Sequence, residues 1–283
     1  MKEVRQIGVH VSISGGMYRA IERGMELGIN TLQIFLKNSN QWEAKPYAGE
    51  DIEKFRSLRK ESGIKSIFAH AGYLINLGGS GDMLIKSVKA LADEINRAAL
   101  LDIGYIVIHP GSHLGAGEDA GIKKIADSID RAFGISGKGE VRLLLETTAG
   151  QGSSIGYMFE HLMKIIELSE NRERLDVCLD TCHVFAAGYD IAHEKEYGET
   201  IKEFDSILGL KRLKVIHLND SKKVHGSRVD RHEHIGMGMI GSGGFRLLLN
   251  DPRLKEVPLI LETPKIDDTS DIKNLSKVRK LII

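Results

Sequence analysis

Apolar residues in this chain gather into short runs, separated by longer stretches in which apolar positions recur every three to four residues. Runs of the first kind read as buried strands, and the longer stretches as helices with one face turned to a core. Strand-like runs occupy Gln6–Val11, Thr31–Leu36, Ser66–His70, Tyr105–His109, Arg142–Glu146, Asp176–Asp180, Lys214–Leu218 and Pro258–Glu262. Helix-period segments lie between them at Met17–Leu27, Asp51–Ser62, Met83–Leu101, Ile122–Phe133, Tyr157–Ser169, Lys195–Leu208 and Phe245–Asn250, and Asp271–Ile282 follows the last strand. Strands alternating with helices imply parallel pairing through helical crossovers, and eight such units close into a barrel. The expectation is one (β/α)8 TIM barrel over residues 1–283, with its active site at the C-terminal rim of the strands. An open doubly wound sheet is the alternative, but it would gather ligands at one switch point instead of around a ring.

Six consecutive strand-like runs close on a residue that can hold a metal: SIFAH at His70, YIVIH at His109, RLLLE at Glu146, DVCLD at Asp180, KVIH at His217 and LILE at Glu262. One such ending is unremarkable. Six in succession imply side chains converging on a common rim. LDTCH adds His183 just past Asp180, and DRH places Asp230 and His232 two apart, so an extended segment turns both the same way. Five histidines and four carboxylates exceed what one tetrahedral zinc needs, and with one carboxylate shared they suffice for three ions. Imidazole mixed with carboxylate suits zinc, manganese or iron. Three divalent ions against four carboxylates leave a surplus of positive charge, which attracts an anion such as a phosphodiester, and paired metals are a recurring device for attack on phosphorus.

Composition changes this picture little. Lys+Arg and Asp+Glu number 39 each, so there is no overall basic surplus and any polyanion site must be local. Two cysteines, Cys178 and Cys182, are too few for a disulfide scaffold and read as reduced packing residues. No apolar run reaches the roughly 18 residues of a membrane span. The opening MKEVRQIGVHVS runs at once into a strand, so neither a signal peptide nor a membrane is expected, and the reading is of a cytoplasmic monomer.

The motifs VHVSISGG, FLKNSNQW, HAGYLINLG, VIHPGSH, LLLETTAGQG, LDTCHVFAAGYD, HLNDSK, GSRVDRHEHIGMG and LILETP resemble, in order, those of the endonuclease IV family of zinc-dependent apurinic/apyrimidinic (AP) endonucleases. The resemblance runs from Val9 to Pro264 and implies a TIM barrel with three zinc ions, one position also accepting manganese. By motif, it assigns His70, His109 and Glu146 to one zinc, Glu146, Asp180, His217 and Glu262 to a second, and His183, Asp230 and His232 to the third. It implies hydrolysis of double-stranded DNA on the 5′ side of an abasic site, leaving a 3′-hydroxyl and a 5′-deoxyribose phosphate, together with trimming of blocked 3′ ends. In this reading the metals activate water and stabilise the leaving oxygen, with Glu146 bridging and Glu262 orienting the nucleophile.

The same resemblance places Tyr73 and Leu74 in the DNA where the base is missing, since an apolar wedge costs least where stacking is already lost. Lys37, Lys222, Lys223, Arg228 and Arg231 are candidates for backbone phosphates. Two positions depart from the family pattern: Asn40 stands where many relatives carry Arg, and Met237 where a polar residue is common. Asn40 remains a candidate DNA contact. His10, His113 and His234 read as residues behind the ligands or as packing, and His161, His193 and His225 as surface residues. A sugar isomerase on the same barrel is the rival reading; it has no use for the cluster of His183, Asp230 and His232.

Overall fold

The computed structural model describes residues 5–137 and 139–283. The expectation about a leader falls partly on residues 1–4, outside the described residues. Eight parallel strands close into a barrel, each hydrogen-bonded to its neighbours in chain order: β1 (Ile7–His10), β2 (Thr31–Phe35), β3 (Ser66–His70), β4 (Tyr105–Ile108), β5 (Arg142–Glu146), β6 (Leu175–Asp180), β7 (Leu213–His217) and β8 (Leu259–Leu261), with β8 pairing back onto β1. Around them run α1 (Tyr18–Glu26), α2 (Gly49–Glu61), α3 (Gly81–Leu100), α4 (Glu118–Ile135), α5 (Phe159–Leu168), α6 (Thr181–Ala187), α7 (Glu194–Ile207), α8 (Gly241–Leu249) and α9 (Ser270–Leu281). Most of the apolar core lies between the strands and this outer ring of helices.

A second, smaller cluster fills the barrel itself: Phe68, Val107, Leu144, Cys178, Val215 and Ile260, one from each of β3 to β8. Strand side chains alternate faces, so the residue two further on points the same way. Those next inward positions are His70, His109, Glu146, Asp180, His217 and Glu262. The apolar layer is thus the floor on which the polar layer stands. β1 and β2 complete the inner surface differently. Gly8 sits where a Cβ would lie 1.7 Å from the Thr31 carbonyl oxygen, so only glycine permits the approach of β1 to β2. β2 turns Gln33, fully buried, into the ligand layer. The opposite end of the barrel is closed by an Arg142–Asp176 ion pair at 2.7 Å and a Thr31–Ser66–Gln6 hydrogen-bond chain.

Two short antiparallel pairs shape the rim. Gly111–Ser112 pairs with Ser154–Ile155, tying the loops after β4 and β5. Asp220–Ser221 pairs with His232–Glu233, pulling the long loop after β7 back over the barrel mouth. Asp220 is fully buried, and its carboxylate accepts the N–H groups of Gly236, Gly238 and Ile240 at 2.9 to 3.0 Å, so one side chain folds the second half of that loop.

Candidate metal centre

Strand ends deliver the first ligands. Glu146 is fully buried, and its two oxygens face different ways. Oε2 lies 3.2 Å from His70 Nε2 and 3.0 Å from His109 Nε2, while Oε1 lies 2.9 Å from His217 Nδ1. Glu262 Oε2 stands 3.3 Å from the same His217 nitrogen, and Asp180 Oδ2 3.9 Å from it. Asp180 then caps α6, accepting the His183 N–H at 2.9 Å. A carboxylate at an N-cap fixes the first turn, and here that turn carries His183 inward. The loop after β7 closes the set: Asp230 Oδ2 is 3.1 Å from His183 Nε2, and Asp230 Oδ1 is 3.4 Å from His232 Nε2.

The nine residues nominated from the sequence therefore meet in three groups, in each of which one donor atom per residue lies within 4.8 Å of the others: His70, His109 and Glu146; Glu146, Asp180, His217 and Glu262; and His183, Asp230 and His232. Glu146 belongs to two of them.

The ring nitrogens show what the site can hold. His70 Nδ1–H donates to the Ala71 carbonyl at 2.7 Å, His183 Nδ1–H to Thr147 at 2.8 Å, and His232 Nδ1–H to Glu262 at 3.0 Å. Each bond fixes the ring so that Nε2, directed into the site, is the nitrogen that can give a lone pair to an ion. Nε2 of His183 and of His232 are buried with no hydrogen-bond partner, although carboxylates stand close by. Buried polar atoms are normally satisfied, and an acceptor nitrogen facing a carboxylate is satisfied by a cation. The donor set fits divalent ions of the zinc class.

Electrostatics agree. Burial alone would raise the Glu146 carboxyl, but His109 and His217 beside it hold it well below the usual carboxylate range. Asp230 is likewise buried, yet His183 and His232 bring it down to about 2. The metal-free imidazoles of His183 and His217 are lifted well above their ordinary value, against the effect of burial, by the carboxylates around them. An array that draws protons onto its histidines is one that calls for positive charge. Cys178 and Cys182 are free and buried; burial pushes both thiols up, Cys178 to about 12, so they remain packing groups.

Of the DNA-contact candidates, Tyr73 is 65% exposed on the rim, its ring 5.2 Å from Phe35 and 5.9 Å from His70, with Leu74 half-buried beside it. Asn40, Lys222, Lys223, Arg228 and Arg231 are exposed or half-buried around the mouth. The Arg228 guanidinium rests 4.4 Å over the Tyr157 ring, and the Arg228 backbone N–H donates to the Ala186 carbonyl at 2.8 Å. Met237 is 74% exposed on the loop that Asp220 organises.

Lys37 requires correction. Its side chain is 2% exposed, and its ammonium pairs with Asp93 at 2.9 Å and Glu94 at 3.5 Å on α3. A lysine buried against two carboxylates is not free to reach a phosphate. His161 also departs from expectation: it is buried against Tyr157 and accepts the Gly156 N–H. His193 and His225 are exposed. His10 stands 3.5 Å from Glu262, His113 accepts the Gly117 N–H within its loop, and His234 bonds to Asn274.

Sequence reasoning missed three polar groups behind the ligands. Gln33 reaches both Glu262 and His217; Asn219 donates to Asp180 at 2.7 Å and accepts the Glu262 N–H at 2.8 Å; the Thr147 hydroxyl accepts the Asp180 N–H at 2.9 Å. An uncharged polar residue inside an apolar strand, as in TLQIF, was the available signal for Gln33.

The model of the xylose isomerase-like TIM barrel family matches residues 21–280. A probable endonuclease 4 of Chloroflexus aurantiacus is 50% identical over 279 residues, 98% of each chain. The chain belongs to the endonuclease IV family. The crystal structure of endonuclease IV from Thermus thermophilus matches with a TM-score of 0.88 and 39% identity, covering 98% of both chains. A D-tagatose 3-epimerase-like protein matches with a TM-score of 0.70 at 18% identity, over 98% of this chain and 96% of that one, a likeness of fold alone. Membership of the endonuclease IV family therefore rests on the near full-length matches, and the barrel by itself would not separate this chain from sugar epimerases.

Proposed function

We propose that the chain hydrolyses the phosphodiester on the 5′ side of an abasic site in double-stranded DNA, leaving a 3′-hydroxyl and a 5′-deoxyribose phosphate, and that it also trims blocked 3′ ends. The observation that carries this reading is the third cluster. His183, Asp230 and His232 converge beside the strand-end ligands with two orphaned imidazole nitrogens between them, a provision that sugar isomerisation on the same barrel does not need.

Three zinc ions, with manganese acceptable at one position, fit the donors. His70, His109 and Glu146 would hold one; Glu146, Asp180, His217 and Glu262 a second; His183, Asp230 and His232 the third. When bound, such ions lower the pKa of water toward neutrality and offset charge on a phosphate. The chain's own residues do the rest. Glu146, turned to two groups at once, sets their spacing. Glu262, tied down through its backbone by Asn219, keeps its carboxylate at the mouth to orient the attacking oxygen. Tyr73 and Leu74 stand on the rim beside His70, where they would fill the gap left by a missing base. Arg228 and Arg231, with Asn40 as a further contact, would register the backbone through its phosphates. Lys37 has no part in this.

The test is a duplex carrying one abasic site, with an intact duplex as control, resolved on a denaturing gel beside metal analysis of the same sample. One nick 5′ to the lesion and near three zinc per chain are expected. Zinc-replete protein that leaves the abasic duplex intact would overturn the proposal.

A further inference from the structure

His217 is held differently from the other oriented ligands. His70, His183 and His232 each give their Nδ1–H to a backbone carbonyl and present Nε2. His217 presents Nδ1, 2.9 Å from Glu146 and 3.3 Å from Glu262, and its Nε2 meets a side chain, Gln33 Oε1, at 2.8 Å. A backbone carbonyl is supplied by any residue. A side-chain amide is a choice of this sequence.

The amide's orientation follows from its neighbours. Gln33 Nε2 lies 2.6 Å from Glu262 Oε1. An ionised carboxylate only accepts, so that atom must be the NH2 end and the atom facing His217 must be the carbonyl. The carbonyl only accepts, so His217 must carry its proton on Nε2. With that proton placed, Nδ1, which faces Glu146 and Glu262, is the nitrogen that can give its lone pair to a bound ion. The second amide hydrogen goes to His10 Nδ1 at 3.1 Å, which makes His10 the acceptor and places its own proton on Nε2. Gln33 is fully buried, and its carbonyl and both amide hydrogens are engaged.

We infer that Gln33 is a positioning residue that sets the His217 tautomer and the Glu262 carboxylate together, so that both present lone pairs to the same ion. Six barrel strands supply ligands; β2 supplies the clasp behind two of them, and β1 backs it with His10. The inference rests on the metal reading above and adds a residue to it.

Two measurements test it. In zinc-loaded wild-type protein, long-range 1H–15N correlation of the histidine rings should show His217 with its proton on Nε2; a loaded ring that keeps its proton on Nδ1 overturns the inference without any variant. Gln33→Met keeps the volume and removes all three bonds. Competition with a chromogenic chelator should then show one zinc affinity lowered by about 10- to 100-fold, the usual effect of losing an outer-shell partner, and a mixed His217 tautomer. Unchanged zinc affinities and an unchanged tautomer in the folded Met variant would overturn it. Failures are separable: wild type that takes no zinc sinks the metal reading itself. Fully loaded wild type with an equally tight Met variant sinks only the clasp.

Discussion

Glu146 faces His217 across 2.9 Å with one oxygen while its other oxygen stands 3.0 Å from His109. A single carboxylate therefore couples two ligand groups, and its amide counterpart would turn an NH2 toward one of them. Glu146→Gln is expected to lose at least one zinc per chain and at least about 100-fold in nicking rate, more than loss of an outer-shell partner costs. Metal analysis together with single-turnover cleavage checks this; a variant with full zinc content and wild-type rate would remove Glu146 from its bridging role.

The third cluster depends on a loop whose anchor is a glycine. A Cβ on Gly238 would lie 2.4 Å from the Ser221 carbonyl oxygen and 2.6 Å from Asp220 Oδ1. Neither atom can retreat without breaking the Asp220 network or the pairing of Ser221 with His232. Gly238→Ala should cost about 2 kcal/mol in stability and release the ion of His183, Asp230 and His232 while the other two remain. Calorimetry and zinc counting together read the outcome.

Tyr73 offers a ring to whatever occupies the rim. Tyr73→Ala should weaken binding to an abasic duplex by about 1–3 kcal/mol, the range of base–aromatic stacking, leave intact duplex binding nearly unchanged and leave zinc content alone. Fluorescence anisotropy with both duplexes separates these effects. Equal loss on both duplexes would assign Tyr73 to general affinity.

Glu94 gives a pH signature from a carboxyl outside the nine candidate ligands. Burial pushes its carboxyl up to about 7, with Lys37 and the Gly72 N–H pulling the other way. A carboxyl raised in the fold contributes most below its unfolded pKa of about 4.5, and that contribution is lost as pH rises through about 7. Wild type should therefore lose stability relative to Glu94→Gln between pH 5 and 8, on the order of 3 kcal/mol for a displacement of this size. Thermal melts of both proteins across that range give the sign; a constant difference would show that Glu94 is not raised.

The barrel was legible because its strands are short apolar runs, and the ligand ring because each run closes on a charged or imidazole group. Two of those groups, His109 and Glu262, fall one residue beyond the strands. α6 is absent from the helices the sequence predicts: Thr181–Ala187 is too short and too uniformly buried to show a helical period, although the Asp180 cap and the left-handed Gly188 mark its ends. Gln33, Asn219 and Thr147 were passed over because a neutral polar side chain carries no charge cost that demands explanation. Lys37 was misread because its partners Asp93 and Glu94 lie more than fifty residues away, and a lysine in a long loop looks solvated until the fold is known.

The apolar tier of Phe68, Val107, Leu144, Cys178, Val215 and Ile260 lies across the cylinder beneath the ligands. A hydrated divalent cation would have to shed its water to cross that partition, so ions enter and leave through the upper opening alone. On the proposed reading, cofactor and substrate would share that one doorway. A duplex seated there would act as a stopper, and chelators should strip the enzyme more slowly during an encounter with DNA than between encounters.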